Sequence, residues 1–255
     1  MQKPDRGNTL AIHGDRALYI GELGATGWHR HACPVLLVGL SGRFAVQLPG
    51  RHAQTCHSAL VDAGVDHVFD PRGEKVALMY LEPDAPESRQ LRRRFLSEGP
   101  VIWDPAMRPT DRCAYAGRLG SFDLASLLRQ KNPEPLALDP RVAASLQALR
   151  GVQLSRGRAA LAAAAALSES RFNHLFREET GVSFRSYRVW SQVRTAMSRI
   201  DRSRNLTSAA LDGGFADSSH FSRTFRKTFG MTPSSVLKPL HHIQSNQSMF
   251  SQANM

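Results

Sequence analysis

Between residues 15 and 82 the apolar positions come in short runs, Val35-Leu36-Leu37-Val38, Phe44-Ala45-Val46 and Val76-Ala77-Leu78-Met79-Tyr80, separated by Gly39, Gly42, Gly50, Gly64 and Gly73. Closely spaced β-type runs broken by glycine predict an antiparallel sandwich or barrel. Beyond Pro83-Asp84 the period changes. Residues 87–98, with Leu91, Phe95 and Leu96 as the apolar positions, predict an amphipathic helix, and Phe122, Leu124, Leu127 and Leu128 predict another. Two prolines close together in Lys131-Asn132-Pro133-Glu134-Pro135 forbid a continuous helix and mark a linker. Asp139-Pro140 then supplies a helix start, an aspartate for an orphan amide and a proline preset for the first helical position. From there the pattern is helical throughout: Val142, Leu146 and Leu149 share a face, residues 159–166 are almost pure helix former, and Val189, Val193, Ala196 or Met197, and Ile200 predict one connecting helix over about 184–200. The Ser-, Asn- and Gln-rich stretch after Leu240 reads as a loose tail.

Within the helical part the chain repeats itself. Phe172, Phe176, Arg177 and Gly181 recur 49 residues later as Phe221, Phe225, Arg226 and Gly230, whereas Leu161-Ala162 recurs as Ala209-Ala210 at a spacing of 48. Each copy reads as a short small-residue helix, a turn, and a second helix, with a turn one residue longer in the second copy. Ser168 is placed to cap the second helix of the first copy, Glu169 suits its positive end, and Gly181 supplies a left-handed stop; Thr207 is the expected cap of the first helix of the second copy. Phe172, Leu175 and Phe176 must face a core, leaving Arg171, Asn173, His174 and Arg177 outside. In the second copy Phe221, Phe225 and Phe229 turn inward, and Ser222, Arg223, Arg226 and Lys227 turn outward.

Charge follows the repeat. Residues 1–138 hold 17 Lys and Arg against 15 Asp and Glu, a balance of +2, and residues 139–255 hold 16 against 7, a balance of +9, out of +11 for the 255-residue chain. A basic domain attracts phosphate backbones through counterion release. Cys33, Cys56 and Cys113 are far apart and form no CxxC pair, which argues against a disulfide framework or thiolate zinc site. No apolar run approaches the length of a bilayer span and the start lacks a signal-peptide core, so a soluble cytoplasmic protein is expected, with no membrane partner.

The run from Ala210 to Pro233, with Gly213-Gly214-Phe215-Ala216-Asp217-Ser218-Ser219-His220-Phe221-Ser222-Arg223 at its centre, closely resembles the second helix-turn-helix signature of the AraC/XylS family of bacterial transcription regulators. The resemblance covers about residues 139–239. It implies a DNA-binding domain of two helix-turn-helix motifs that enter successive major grooves roughly 34 Å apart. By family analogy the base-reading positions are Ser170, Asn173 and His174 in the first motif and Ser218, Ser219, Ser222 and Arg223 in the second, with Arg171, Arg177 and Arg226 completing the DNA-facing set. Two positions depart from the family: Gln192 stands where arginine is common, and Ala166 where glycine often precedes the turn.

The glycine-punctuated β segment looks like the cupin-type sensory domain found in many such regulators. The expected fold is therefore α+β in two domains: a cupin-like β-barrel or sandwich with flanking helices over 1–131, a linker over 132–138, an all-α domain with two helix-turn-helix motifs joined by a connecting helix over 139–240, and a flexible tail over 241–255. His29 and His31 alternate onto one strand face, where they and His67 could converge on a metal; the leading expectation is instead a polar effector pocket, with no metal and no other cofactor. Arg92-Arg93-Arg94 reads as a solvated helix face. The resulting expectation is a sequence-specific regulator that binds double-stranded DNA and a small-molecule effector, with RNA polymerase and a second copy of the chain as further partners, and no catalytic residues. The alternatives are a cupin-type metal-dependent enzyme with a DNA-binding appendage and an effector-independent DNA binder.

Overall fold

A computed structural model describes residues 7–105, 137–150, 157–203 and 205–245. The N-terminal half forms β1 (Asn8–Ile12), β2 (Arg16–Gly21), β3 (Val35–Gly39), β4 (Phe44–Gln47), β5 (Gln54–Cys56), β6 (Ser58–Val61), β7 (Val68–Asp70), β8 (Val76–Leu81), α1 (Pro86–Glu98) and β9 (Val101–Trp103). The helical half forms α2 (Pro140–Arg150), α3 (Arg158–Ala164), α4 (Glu169–Thr180), α5 (Phe184–Ser203), α6 (Leu206–Asp212), α7 (Ser218–Phe229) and α8 (Pro233–Leu237), and the chain returns as β10 (Leu240–Ser245).

The strands make the expected sandwich: a seven-stranded sheet in the order β10-β1-β2-β8-β3-β6-β9 and a three-stranded sheet in the order β5-β4-β7. The apolar runs are unbroken because the central strands are covered twice. Val35 and Leu37 of β3 face the small sheet, where Phe44, Val46 and Phe69 meet them, while Leu36 and Val38 face α1 and its Leu91 and Phe95. A strand buried on both faces needs apolar residues at every position, not at every second one. On α1, by contrast, Leu96 is 88% exposed and takes no part in that contact.

Several elements differ from the sequence reading. The first two strands, β9 and β10 lie outside the runs singled out there. Residues 241–245, expected in the loose tail, are strand and pair in parallel with β1, carrying the end of the helical half back into the sheet of the other. The second amphipathic helix, around Phe122 to Leu128, most of the linker, and residues 246–255 lie outside the described residues. Cys33 and Cys56 are buried free thiols.

The repeat is realised residue for residue. In both copies the first helix ends on the same backbone bonds: Leu167 N donates to Ala162 O at 2.9 Å, and Phe215 N to Ala210 O at 2.9 Å. The turns span residues 165–168 and 213–217, so the extra residue sits in the turn as expected. Ser168 accepts from Arg171 N, and Asp217 caps the corresponding end of α7 by accepting from His220 N. Gly181 and Gly230 stop the two second helices in the left-handed region, at φ 83° and 70°. One cap differs: Asn205, not Thr207, holds the start of α6, its side chain accepting from Thr207 N and Ser208 N. A residue inside the first turn cannot accept from its own N–H, so the cap lies before it.

The two motifs are packed differently. Val142, Leu146, Phe172, Phe176, Phe184 and Tyr187 give the first its own core. Val193, Ala196, Ala209, Ala210, Phe221 and Phe225 of the second belong instead to one continuous cluster with the inner face of the sandwich. The inward position at the middle of α5 is Trp190, 3% exposed, rather than Val189, which is half-buried. Trp190 Nε1 donates to the buried Glu82 carboxylate at 3.0 Å, Arg194 pairs with the same carboxylate oxygen at 3.0 Å, and Tyr187 Oη donates to Asp84 at 3.1 Å. Arg194 also donates to the carbonyls of His13 and Gly14. Arg92 departs from the solvated-face reading: it donates to Glu178 O at the carbonyl end of α4, where a cation suits the helix dipole.

Two stability predictions follow from this packing. Ala166 occupies the turn position matched by Gly214, at φ 53° against 77°. A side chain there costs about 1–2 kcal/mol, and glycine loses about 0.5–1 kcal/mol more backbone freedom on folding. Ala166→Gly should therefore raise unfolding free energy in urea by about 0.5–1 kcal/mol, and Gly214→Ala should lower it; destabilisation by Ala166→Gly would contradict the turn geometry. Arg194→Met removes the Arg194 cation from the Glu82 carboxylate, 3% exposed, and should cost about 3 kcal/mol in the same titration. A loss under about 1 kcal/mol would show that the pair is solvated.

Candidate nucleic-acid interface and interdomain cavity

The residues expected to face DNA fall on the outer sides of α4 and α7. Ser170, Arg171, His174 and Arg177 are exposed on the first and Ser219, Arg223 and Arg226 on the second, while Asn173, Ser218 and Ser222 are half-buried. Phe172 and Phe176, at most 2% exposed, fix the roll of α4; Phe221 and Phe225, equally buried, fix that of α7. The aromatic spacing thus sets which side chains protrude. His174 Nε2 lies 3.6 Å from Glu178 one turn on, and Arg158 pairs with Glu169 at 2.6 Å beside the start of α4. The Asp217 carboxyl is held below the usual carboxylate range, first by the His220 backbone N–H it accepts, so the start of α7 carries a firmly ionised cap. His220, absent from the expected set, is exposed and sets its ring edge against Phe215 at 5.3 Å, bracing the longer turn. A histidine four residues past the inserted Ala216 is the only sequence signal for it.

α5 joins the readers. Its 20 residues make a rod about 30 Å long, close to the roughly 34 Å between successive major grooves. It meets α6 closely: a Cβ on Gly213 would lie 2.8 Å from Gln192 O and 2.8 Å from Ala196 Cβ. Gln192, at the position where the family commonly has arginine, donates to Gly214 O at 3.2 Å. Its side chain therefore braces the second turn.

The three histidines converge. All are buried, their ring centroids are 4.3 to 5.1 Å apart, and one nitrogen from each lies within 4.8 Å of the others. Burial is the first cause lowering each pKa, to about 4 for His29, well below the ordinary value for His31, and down for His67. At neutral pH the three are uncharged imidazoles.

These rings line one end of a cavity between the halves of the chain, about 760 Å³ counting its mouth. The sandwich contributes Leu10, Tyr19, Leu78 and Tyr80; the helical half contributes Trp190, Met197, Phe225 and Phe229. Thus the inner face of α7 walls the cavity while its outer face carries Arg223. The end of α7 also rests directly on the sandwich, because Gly27 N donates to Gly230 O at 2.8 Å, and a Cβ on Gly230 would lie 2.5 Å from Gly27 O. Neither Gly27 nor the Glu82–Arg194 pair belongs to the repeat. The available sequence signal was Arg194 itself, a charge beside the apolar stripe of α5. No helix among the described residues is long and apolar enough to cross a membrane.

Residues 161–239 match the family model described as a helix-turn-helix domain. Over 69 residues the chain is 36% identical to the arabinose operon regulatory proteins of Escherichia coli (strain K12) and Salmonella typhimurium, a match that covers 27% of this chain and 24% and 25% of those proteins. The chain thus spans about a quarter of the length of the curated relatives it matches. Both halves resemble ToxT from Vibrio cholerae in fold, with a TM-score of 0.58 and 13% identity over 89% of this chain and 99% of that one. The unsaturated fatty acid bound form of ToxT from strain SCE256 gives a TM-score of 0.52 and 11% identity over 92% and 98%. The paired motifs, their matched turns and the aligned relatives agree: residues 161–239 form a helix-turn-helix domain, and this part of the chain is similar to the arabinose operon regulatory proteins.

Proposed function

We propose that the chain is a sequence-specific, DNA-binding transcription regulator of the AraC type whose hold on DNA answers to a small molecule in the interdomain cavity. The observation that carries this reading is the double use of α7: Phe225 and Phe229 wall the cavity on one side, and Arg223 and Arg226 stand exposed on the other. A ligand shifts a protein only as far as its affinities for two states differ. A cavity walled by the reading helix supplies such a difference, since any displacement of Phe229 to admit a ligand moves the helix that carries Arg223.

Double-stranded DNA is the first partner. Ser170, Asn173 and His174 on α4, and Ser218, Ser219, Ser222 and Arg223 on α7, are assigned to base edges, with Arg171, Arg177 and Arg226 on the phosphates, consistent with the +9 balance of residues 139–255. The effector would occupy the cavity with its polar end at His29, His31 and His67. ToxT, similar in fold, has been observed with an unsaturated fatty acid, and the mainly apolar lining here suits a ligand with an extended apolar body. RNA polymerase contacts, pairing of two copies and a cytoplasmic location complete the reading, with an effector domain over 1–131, a linker over 132–138 and a DNA-binding domain over 139–240. An enzyme built on the same histidines would have to pass substrate through a cavity closed by a DNA-reading helix, whereas a regulator needs that wall.

Arg223→Ala should weaken specific DNA binding by about 1–3 kcal/mol and relax discrimination at one base pair. Arg226→Ala should weaken binding to all sequences alike and lower the salt slope by about one. A footprinting titration across salt concentrations checks both; unchanged affinity and specificity in Arg223→Ala would remove that residue from the base-reading set.

A further inference from the structure

We infer that His29, His31 and His67 form a binding site for one divalent transition-metal ion of the imidazole-preferring class, placed against the end of the second reading helix. The backbone holds the three side chains in place first. His29 N donates to His67 O at 3.1 Å and His67 N to His29 O at 2.9 Å, an isolated antiparallel bridge, while His31 O accepts from Gly64 N at 2.7 Å. His29 and His67 are thereby held in an isolated β-bridge and His31 by one backbone hydrogen bond, although His29 and His31 lie in the 22–34 connection between β2 and β3 and not on the strand expected for them.

Proton placement then selects the free nitrogens. His29 Nδ1 donates to Gly27 O at 2.8 Å and His67 Nδ1 donates to Val65 O at 2.9 Å, so in both rings the proton sits on Nδ1 and the Nε2 lone pair is bare. The Nε2 atoms of His31 and His67 are buried without a hydrogen-bond partner. Buried polar atoms left unpaired are costly and call for a cause. An ion accepts those lone pairs, and an imidazole whose other nitrogen donates to a backbone carbonyl is the arrangement that orients histidine toward a metal.

Three neutral ligands leave the ion's charge uncompensated and one coordination position open, as in sites that keep a place for water or an added ligand. The cavity is what adjoins the cluster, so the fourth ligand is water or an anionic oxygen delivered from that space. The ion would also act beyond the site. Nitrogens spread over 4.8 Å must close in to lie about 2.0–2.1 Å from a common ion. His29 touches the α7 cap, where a Cβ on Gly230 would lie 2.8 Å from its Nδ1, and His31 lies 5.7 Å from the ring of Phe229. Drawing the rings together therefore tightens the groups on which α7 ends.

The test uses the purified full chain, stripped with chelator and titrated with Co²⁺ and then Zn²⁺, and is independent of DNA binding. The expected result is one equivalent of tightly held metal by elemental analysis, visible ligand-field absorption of tetrahedral Co²⁺ that Zn²⁺ displaces, and slower amide exchange at Phe229 and Gly230 when loaded. His31→Gln and His67→Gln, each checked for native circular dichroism, should bind at least tenfold more weakly, and His52→Gln, at an exposed position between β4 and β5, should bind as the unaltered chain does. Absence of stoichiometric binding in the unaltered chain would overturn the site, whatever the fate of the variants. So would metal affinity in a folded His31→Gln or His67→Gln equal to that of the unaltered chain.

Discussion

The second DNA-reading motif has no core of its own, and the rest of the structure depends on that. Its inward residues complete the inner face of the sandwich, and buried carboxylates, Glu82 foremost, help to fix the joint. Glu82 receives Trp190 Nε1 and Arg194, both from the connecting helix. A carboxylate stripped of its cation at that depth would be strongly destabilising, and Trp190 and Arg194 lie one turn apart on the same helix, so the contact tolerates little sliding. Apolar burial supplies attraction between the halves, and the carboxylate supplies register.

Two motifs that share their aromatic anchors and glycine stops are consequently unequal in energetics. The first closes its own cluster around Phe172, Phe176, Phe184 and Tyr187 and touches the sandwich mainly at its margin, through Arg92 and Asp84. The second would expose Phe225, Phe229 and the apolar side of α5 if it left the sandwich. On the proposed reading, an event inside the cavity would reach the second motif before the first, and α5 is the element that links the two.

The repeat, its core faces, its turn insertion and the connecting helix were legible in the sequence because they rest on local periods and caps, which aromatic residues at i and i+4 and glycine stops spell out directly. The sandwich was legible as a class, through its doubly covered runs. β10 was not, since Leu240–Ser245 carries no strand period and is strand only because β1 offers an unpaired edge. The convergence of His29 and His31 could be suspected from alternation, but the partnership with His67 depends on a bridge between distant segments, and the seating of Gly230 on Gly27 has no sequence signature. What escaped is the joint between the halves, which long-range pairing alone creates.

That joint also limits how the regulator moves. β10 and β1 match over five residue pairs, and a net contribution of about 0.5–1.5 kcal/mol per hydrogen bond makes even part of that ladder worth several kcal/mol. The Glu82 contacts oppose sliding of one half over the other. Coupling between an effector and a distant site is typically about 1–3 kcal/mol, too little to break both attachments. If the chain is the effector-responsive regulator proposed above, detachment of the helical half is thus the wrong picture of its switch. On the proposed reading, a change of the available size is a small rotation of α7 about its Gly230 cap with strap and carboxylate intact, and with Arg223 assigned to a base edge on the face opposite Phe225, such a rotation would shift its register with the base pair.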